Sequence, residues 1–462
     1  MRIFLQELGQ QIEDYSKVSS PDEQMEWSLI LGEIRAFIDA DNAVNVLDMD
    51  SNTIVLSHRL STHCTPPVEK TITSNYSLQE ILIIGNCNDQ VKFSELTIDM
   101  FRMLQTLERE SLEDVTQIFD NSPGNGKVPY QNGDSSNVGI GMCSLDGNMV
   151  TPGVLGKREN PHKYLLFKPT FSQLQVFLSS GFKELPANGV MLVYLSANGS
   201  FVKENSSNKH QSYDCGGVFT CSKRETDGIV QQKSSSDSKF KELHCIYPGD
   251  LYPFTRKPLF LIVDSDNSVV FANMTSLFGQ PLVVLMSPVE LPLHYQQEHG
   301  RGSLFTLFLH CPLMGLCVIC SVCDVPMLLW ERCQALIDRF MVEASILCSR
   351  SKNLDPTYLK FFCDDFLRLI LLRYMFCCTV LQSHRAFKSE AQLPSCFPPI
   401  PKAEFFNDIK LNSLVMEIAQ ALEVTHLFAE MARGTTTPTV VGMPSAAMIA
   451  SQPPSILTSN HE

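Results

Sequence analysis

The chain has 462 residues, 44% of them apolar, and a net charge of −14 from 36 Lys and Arg against 50 Asp and Glu. This composition belongs to a globular protein with a large core, and the length fits two or three domains of roughly 100 to 200 residues each. The acidic balance excludes sequence-independent attachment to nucleic acid phosphates through a general basic surface, so any DNA contact is indirect or confined to a local patch.

Sixteen cysteines without even spacing, behind a Met1-Arg2-Ile3-Phe4-Leu5 start with no leader character, read as reduced thiols of a cytosolic or nuclear protein. Apolar residues at Phe4, Leu5, Leu8, Ile12 and Tyr15 follow helical spacing. A second helix is signalled by Ser20 as cap, Pro21 in the first turn and early acids, then a stripe from Met25 through Phe37. Residues 44–47 and 53–56 bracket a turn cluster and predict a hairpin. Residues 81–85 form a buried-looking strand, and 91–110 return to helical spacing. The span 111–157 fills with Gly, Asn, Ser, Asp and Pro and reads as a flexible insertion between two blocks.

The second block opens with a strand at 164–167, Thr170 as N-cap of a helix, and a strand at 190–195, a βαβ unit without the GxGxxG pattern of a dinucleotide site. A polar insertion, 198–241, reads as loop. Residues 258–263 and 281–286 are continuous apolar runs, the pattern of strands buried on both faces, with a short helix expected at 272–278 between them. The fold class that follows is α/β: an open, mostly parallel, Rossmann-like sheet with flanking helical regions. The chain divides into a helical segment with a small strand and helix element (1–110), the insertion, the parallel core (158–300), a mainly helical region (301–431) and a disordered tail (432–462).

Between Ser303 and Cys323 there is no charged side chain. Its length fits a membrane span, but Pro312 and Gly315 interrupt it and it follows sheet strands, so a buried core segment is the expectation and membrane association the alternative. Helices are expected at 328–347, through 358–381 and at 411–429, with a proline-rich loop before the last.

Open parallel sheets bind ligands beyond the carboxyl ends of their strands. Asp264, Ser265 and Ser287 occupy such ends and form the candidate site, although turn formation explains the same residues. Cys317-x-x-Cys320-x-x-Cys323, with His310 and Cys311, has metal-ligand spacing but lies in an apolar run where thiols behave as small hydrophobes. Cys215 in Asp214-Cys215-Gly216 sits in a polar insertion that offers no scaffold for a nucleophile. The carboxylate pairs Asp264 with Asp266, and Asp364 with Asp365, read as solvated. No catalytic residue, cofactor or metal ligand is assigned.

Several long strings point further: IIGNCNDQVKFSELTIDMFRMLQ (83–105), RENPHKYLLFKPTFSQL (158–174), FKELPANG (182–189), PGDLYPFTRKPLFLIVDSDNS (248–268), FGQPLV (278–283) and RGSLFTLF (301–308). Together they resemble the SCAI family, suppressor of cancer cell invasion, across about residues 25–425. The resemblance implies a non-enzymatic transcriptional corepressor of nucleus and cytoplasm, acting on myocardin-related coactivators and serum response factor complexes. It also implies restraint of cell migration and participation with chromatin-associated adaptors in double-strand-break repair. The family carries a long helical region ahead of the segment matching 23–37, which this sequence lacks, and residues 311–323 and the tail depart from its pattern. The alternative function is a small-ligand binder or enzyme using the strand ends near Asp264.

Overall fold

At the amino terminus the helical spacing becomes α1 (Arg2–Ser16). The second predicted helix starts where the cap signal stands: the Ser20 N–H donates to Glu23 Oε2 at 3.0 Å and the Gln24 N–H to the Ser20 carbonyl at 2.9 Å. The computed structural model describes residues 2–18, 20–21, 23–25, 27–28, 31–32, 44–48, 53–54, 65–67, 76–86, 162–201, 216–221, 244–296 and 303–429. The expected helix at 91–110, the insertion 111–157, Cys215 and the tail lie outside the described residues. β1 (Asn45–Leu47) and β2 (Thr53–Ile54) pair antiparallel as the hairpin predicts.

Six strands make the central sheet, with β3 (Ser77–Asn86), β4 (His162–Phe167), β5 (Gly189–Ala197), β9 (Leu259–Asp264) and β10 (Leu282–Met286) parallel. β6 (Gly199–Ser200), β7 (Gly217–Phe219) and β8 (Cys245–Ile246) form a separate three-stranded sheet, so the span expected to be loop also contributes strands. With the edge strand β12 (Ser395–Phe397), the main order is β12-β10-β9-β5-β3-β4. Two expectations change here. β3, assigned from sequence to the first segment, lies in the middle of the sheet, and β5 pairs with β3 and β9 rather than with β4. The parallel strands therefore follow the doubly wound order 2-1-3-4-5. α2 (Phe171–Glu184) joins β4 to β5, and Thr170 caps it reciprocally with Gln173.

Every residue of β5, β9 and β10 is buried, which is why these strands read as unbroken apolar runs. Alternate residues feed two cores. Leu82, Val193, Leu261 and Val284 pack with Leu174 and Leu178 of α2, whereas Ile83, Tyr194, Phe260 and Leu285 pack under the carboxyl-terminal helices. Between β9 and β10 the chain makes a 3-10 turn, Ser268–Asn273, in place of the expected helix.

The uncharged run 303–323 folds as two short buried helices, α3 (Leu304–His310) and α4 (Pro312–Ile319), with Pro312 opening the second. β11 (Asp324–Pro326) then pairs in parallel with β1, and α5 (Met327–Arg350) follows. The helix expected through 358–381 is broken into α6 (Pro356–Phe361) and α7 (Asp365–Ser383). The break is made by Asp364, read from sequence as solvated. Its carboxylate accepts from the N–H groups of Phe366 and Leu367 at the start of α7 and from Leu78 of β3 at 2.9 Å. One side chain thus fixes a helix start and ties that helix to the sheet. Among the described residues, α7 alone is long and apolar enough to cross a membrane, and 89% of its apolar window is buried; Arg373 and Arg368 lie within it, both buried.

The proline-rich stretch after α7 contributes β12 (Ser395–Phe397), an antiparallel edge strand on β10 that sequence reading passes over. α8 (Ile409–Ala421) ends earlier than expected, because Glu423 adopts a left-handed conformation (φ +61°) and the Val424 N–H turns back to the Ala419 carbonyl.

His384 follows α7 and is bridged through its backbone to Phe428, its ring lying edge-on to Phe387 and Phe428. Nδ1 accepts from the Ala386 N–H, and burial pushes the imidazole pKa down from 6.5 to about 4. The folded state keeps the ring neutral while the unfolded chain protonates first. This contribution is therefore whole above the ordinary value and is lost as pH falls toward about 4, amounting to about 3 kcal/mol. Urea denaturation from pH 7.5 to 4.5 should give a steeper loss of stability for the wild type than for His384→Gln; parallel slopes would contradict a buried neutral ring.

Candidate functional site at the strand ends

Asp264 ends β9, Ser265 follows it and Ser287 follows β10, as the sequence predicts, and all three are buried. Burial raises the Asp264 carboxyl above the ordinary carboxylate range, opposed by hydrogen bonds from Ser303, Thr306 and Ser287. The Thr306 hydroxyl of α3 donates to Asp264 Oδ2 at 2.6 Å. Having spent its proton there, Thr306 accepts from the Tyr194 hydroxyl of β5 at 2.5 Å. A relay of phenol, hydroxyl and carboxyl therefore crosses from β5 through α3 to β9.

Raised carboxyls in such relays are what acid and base chemistry uses, but here each donor is directed to a protein acceptor. Ser287 Oγ accepts the Ser265 N–H at 2.9 Å and donates to the Ser265 carbonyl at 3.0 Å, clamping the ends of two adjacent strands. Ser268 Oγ donates to the Ser287 carbonyl at 2.8 Å. Of the two carboxylates read from sequence as solvated, Asp264 is buried and Asp266 is exposed; Asp266 also accepts from the Gly199 N–H at 2.5 Å, and Asn267 Nδ2 donates to the Ser200 carbonyl at 2.8 Å. The small β6-β7-β8 sheet is thereby seated over the end of β9. Close approach demands glycine at two places. A Cβ at Gly199 would overlap Asn267, and one at Gly216, whose φ is +86°, would overlap the Ser200 carbonyl.

The cysteines of the apolar run sit on and around α4. Cys311, Cys317 and Cys320 are buried and Cys323 is exposed. Burial pushes the Cys317 thiol well up and the Cys320 thiol to about 12, so both stay protonated among apolar neighbours. A different cluster, Glu80, His162 and Glu184, gathers at the opposite end of the sheet. Spacing could not find it, because its members come from β3, β4 and α2; the one available signal was a charged Glu80 directly before the apolar run 81–85.

The fold and the strand-end cluster define an α/β protein in which the carboxyl ends of β9 and β10 are hydrogen-bonded to the chain itself. Protein SCAI is the family whose description matches, over residues 1–387. Protein SCAI of Mus musculus and of Homo sapiens are each 44% identical over 431 residues, covering 92% of this chain and 66% of the relative. A Protein SCAI homolog of Dictyostelium discoideum is 27% identical over 565 residues, covering 92% of this chain and 72% of that one. The chain belongs to the SCAI family. It spans about two thirds, 66%, of the length of the mammalian relatives it matches.

Proposed function

We propose that this chain is a non-enzymatic interaction protein that works as a transcriptional corepressor, docking on myocardin-related coactivators and serum response factor complexes. By the same reading it is nuclear and cytoplasmic, restrains cell migration and joins chromatin-associated repair adaptors. The observation that carries this is family membership over residues 1–387. The strand ends support it: the groups that would receive a small ligand, Asp264, Ser265 and Ser287, are buried and bonded to the chain itself. The net charge of −14 accords with contact to DNA through other proteins.

Two measurements test the reading together. The purified chain should retain a myocardin-related coactivator in a pull-down and lower a serum response factor reporter when expressed, and failure of both would sink it. A thermal-shift screen against nucleotides and metabolites should stay flat. A ligand at 100 times its dissociation constant adds about 2.7 kcal/mol of apparent stability, so a shift abolished by Asp264→Asn would favour the ligand-binding alternative.

A further inference from the structure

Three side chains distant in sequence converge at the amino-terminal end of the parallel strands, away from Asp264. Glu80 lies in β3, His162 opens β4 directly beside it in the ladder, and Glu184 closes α2. His162 Nδ1 is 2.7 Å from Glu80 Oε1 and 3.6 Å from Glu184 Oε2, and one donor atom from each residue lies within 4.8 Å of the others.

The local backbone is built to bring Glu80 there. In a regular strand Leu78 and Glu80 would share a face. A register shift between them, Leu78 opposite Val190 and Glu80 opposite Met191, leaves Gln79 as an extra residue. Leu78 consequently packs into the helical-layer core while Glu80 turns to the α2 side, the kind of re-aiming that bulges perform next to functional sites. Helix α2 makes room: a Cβ at Gly181 would stand 3.1 Å from Glu80 Oε2.

Glu80 is 2% exposed, and its Oε2 has no hydrogen-bond partner among the described residues. A buried carboxylate oxygen without a partner is costly and asks for one. The other two ligands are exposed, so an ion and its water could reach the cluster from solvent. Burial raises the Glu80 carboxyl, which His162 opposes and Glu184 reinforces; a divalent cation would offset both the burial and the repulsion between the carboxylates. One imidazole with two carboxylates suits a borderline ion. Zinc binds such groups at about 2.0 to 2.2 Å with the donors tetrahedrally spread, whereas calcium takes six or more oxygens.

We propose that Glu80, His162 and Glu184 form a zinc site that pins the edge strand β4 and the end of α2 to β3, with water in the fourth position.

The purified full chain, stripped with a chelator and titrated with Zn²⁺ by calorimetry, should bind one ion through this site. His162→Ala and Glu184→Gln replace exposed side chains, so both variants should fold and each should bind at least tenfold more weakly. Zn²⁺ should raise the Tm of the wild type and leave that of the double variant His162→Ala/Glu184→Gln unmoved. Because the chain holds 16 cysteines, Co²⁺ is the discriminating probe. An imidazole and carboxylate site gives a cobalt spectrum without sulfur-to-metal charge transfer. Absence of stoichiometric binding, a thiolate band, or equal affinity in the folded double variant would overturn the proposal.

Discussion

Phe260→Ala should lower the stability of the chain by about 4 kcal/mol, the range for removing a large aromatic from a closed core. Phe260 is fully buried in β9, flanked in register by Leu192 of β5 and Val283 of β10. Its ring meets Phe361 of α6 edge to face, with centroids 5.4 Å apart and planes at 89°. Strand alternation aims Phe260 at the helical layer and its neighbour Leu261 at the α2 layer. Alanine at 260 therefore opens a void between the sheet and α6, where paired strands on one side and packed helices on the other limit collapse. Phe260→Leu, which keeps much of the volume, should lose less than half as much. Equilibrium urea unfolding measures both, and a loss under about 1 kcal/mol for the alanine variant would show that Phe260 does not bridge the two layers.

Legibility in the sequence followed the range of the forces involved. β9 and β10 could be read directly, because burial on both faces forces continuous apolar runs such as 258–263 and 281–286. Thr170 and Ser20 could be read because capping chemistry acts within four residues. β3 was recognisable as a strand, but its place beside β5 depends on pairing between residues more than 100 positions apart. The end of α8 carries no glycine; Glu423 supplies the left-handed residue, and composition does not announce that. For the strand-end site, the positions of Asp264, Ser265 and Ser287 were legible and their closure was not. Closure comes from Thr306 and Tyr194 on other elements and from glycines that bring the small sheet close. The Glu80 cluster was hidden for the same reason, since the bulge at Gln79 that aims it has neither glycine nor proline to mark it.

Arg373→Leu should cost about 3 kcal/mol although leucine suits the apolar surroundings better. Arg373 is buried in α7, yet its guanidinium is not an incidental charge. α3 ends at His310 and α4 begins at Pro312, a proline that has no N–H to offer the preceding carbonyls. Nη1 of Arg373 donates to the carbonyls of both Leu309 and His310, satisfying the end of α3 and placing a positive charge at the negative pole of that helix. The same charge partly offsets the burial that raises the Asp338 carboxyl of α5. Leucine would remove the Arg373 donor from two buried carbonyls and deprive Asp338 of a countercharge, and losing one partner of a buried polar contact costs more than the net worth of the bond it made. Lysine keeps the charge but cannot reproduce the planar fork, so Arg373→Lys should recover only part of the loss. Because Asp338 and Arg373 interact, Asp338→Asn combined with Arg373→Leu should destabilise by less than the sum of the two. Chemical denaturation of the three variants and the double decides the matter; an Arg373→Leu protein as stable as the wild type, or strict additivity with Asp338→Asn, would remove Arg373 as the tie between α7, α3 and α5.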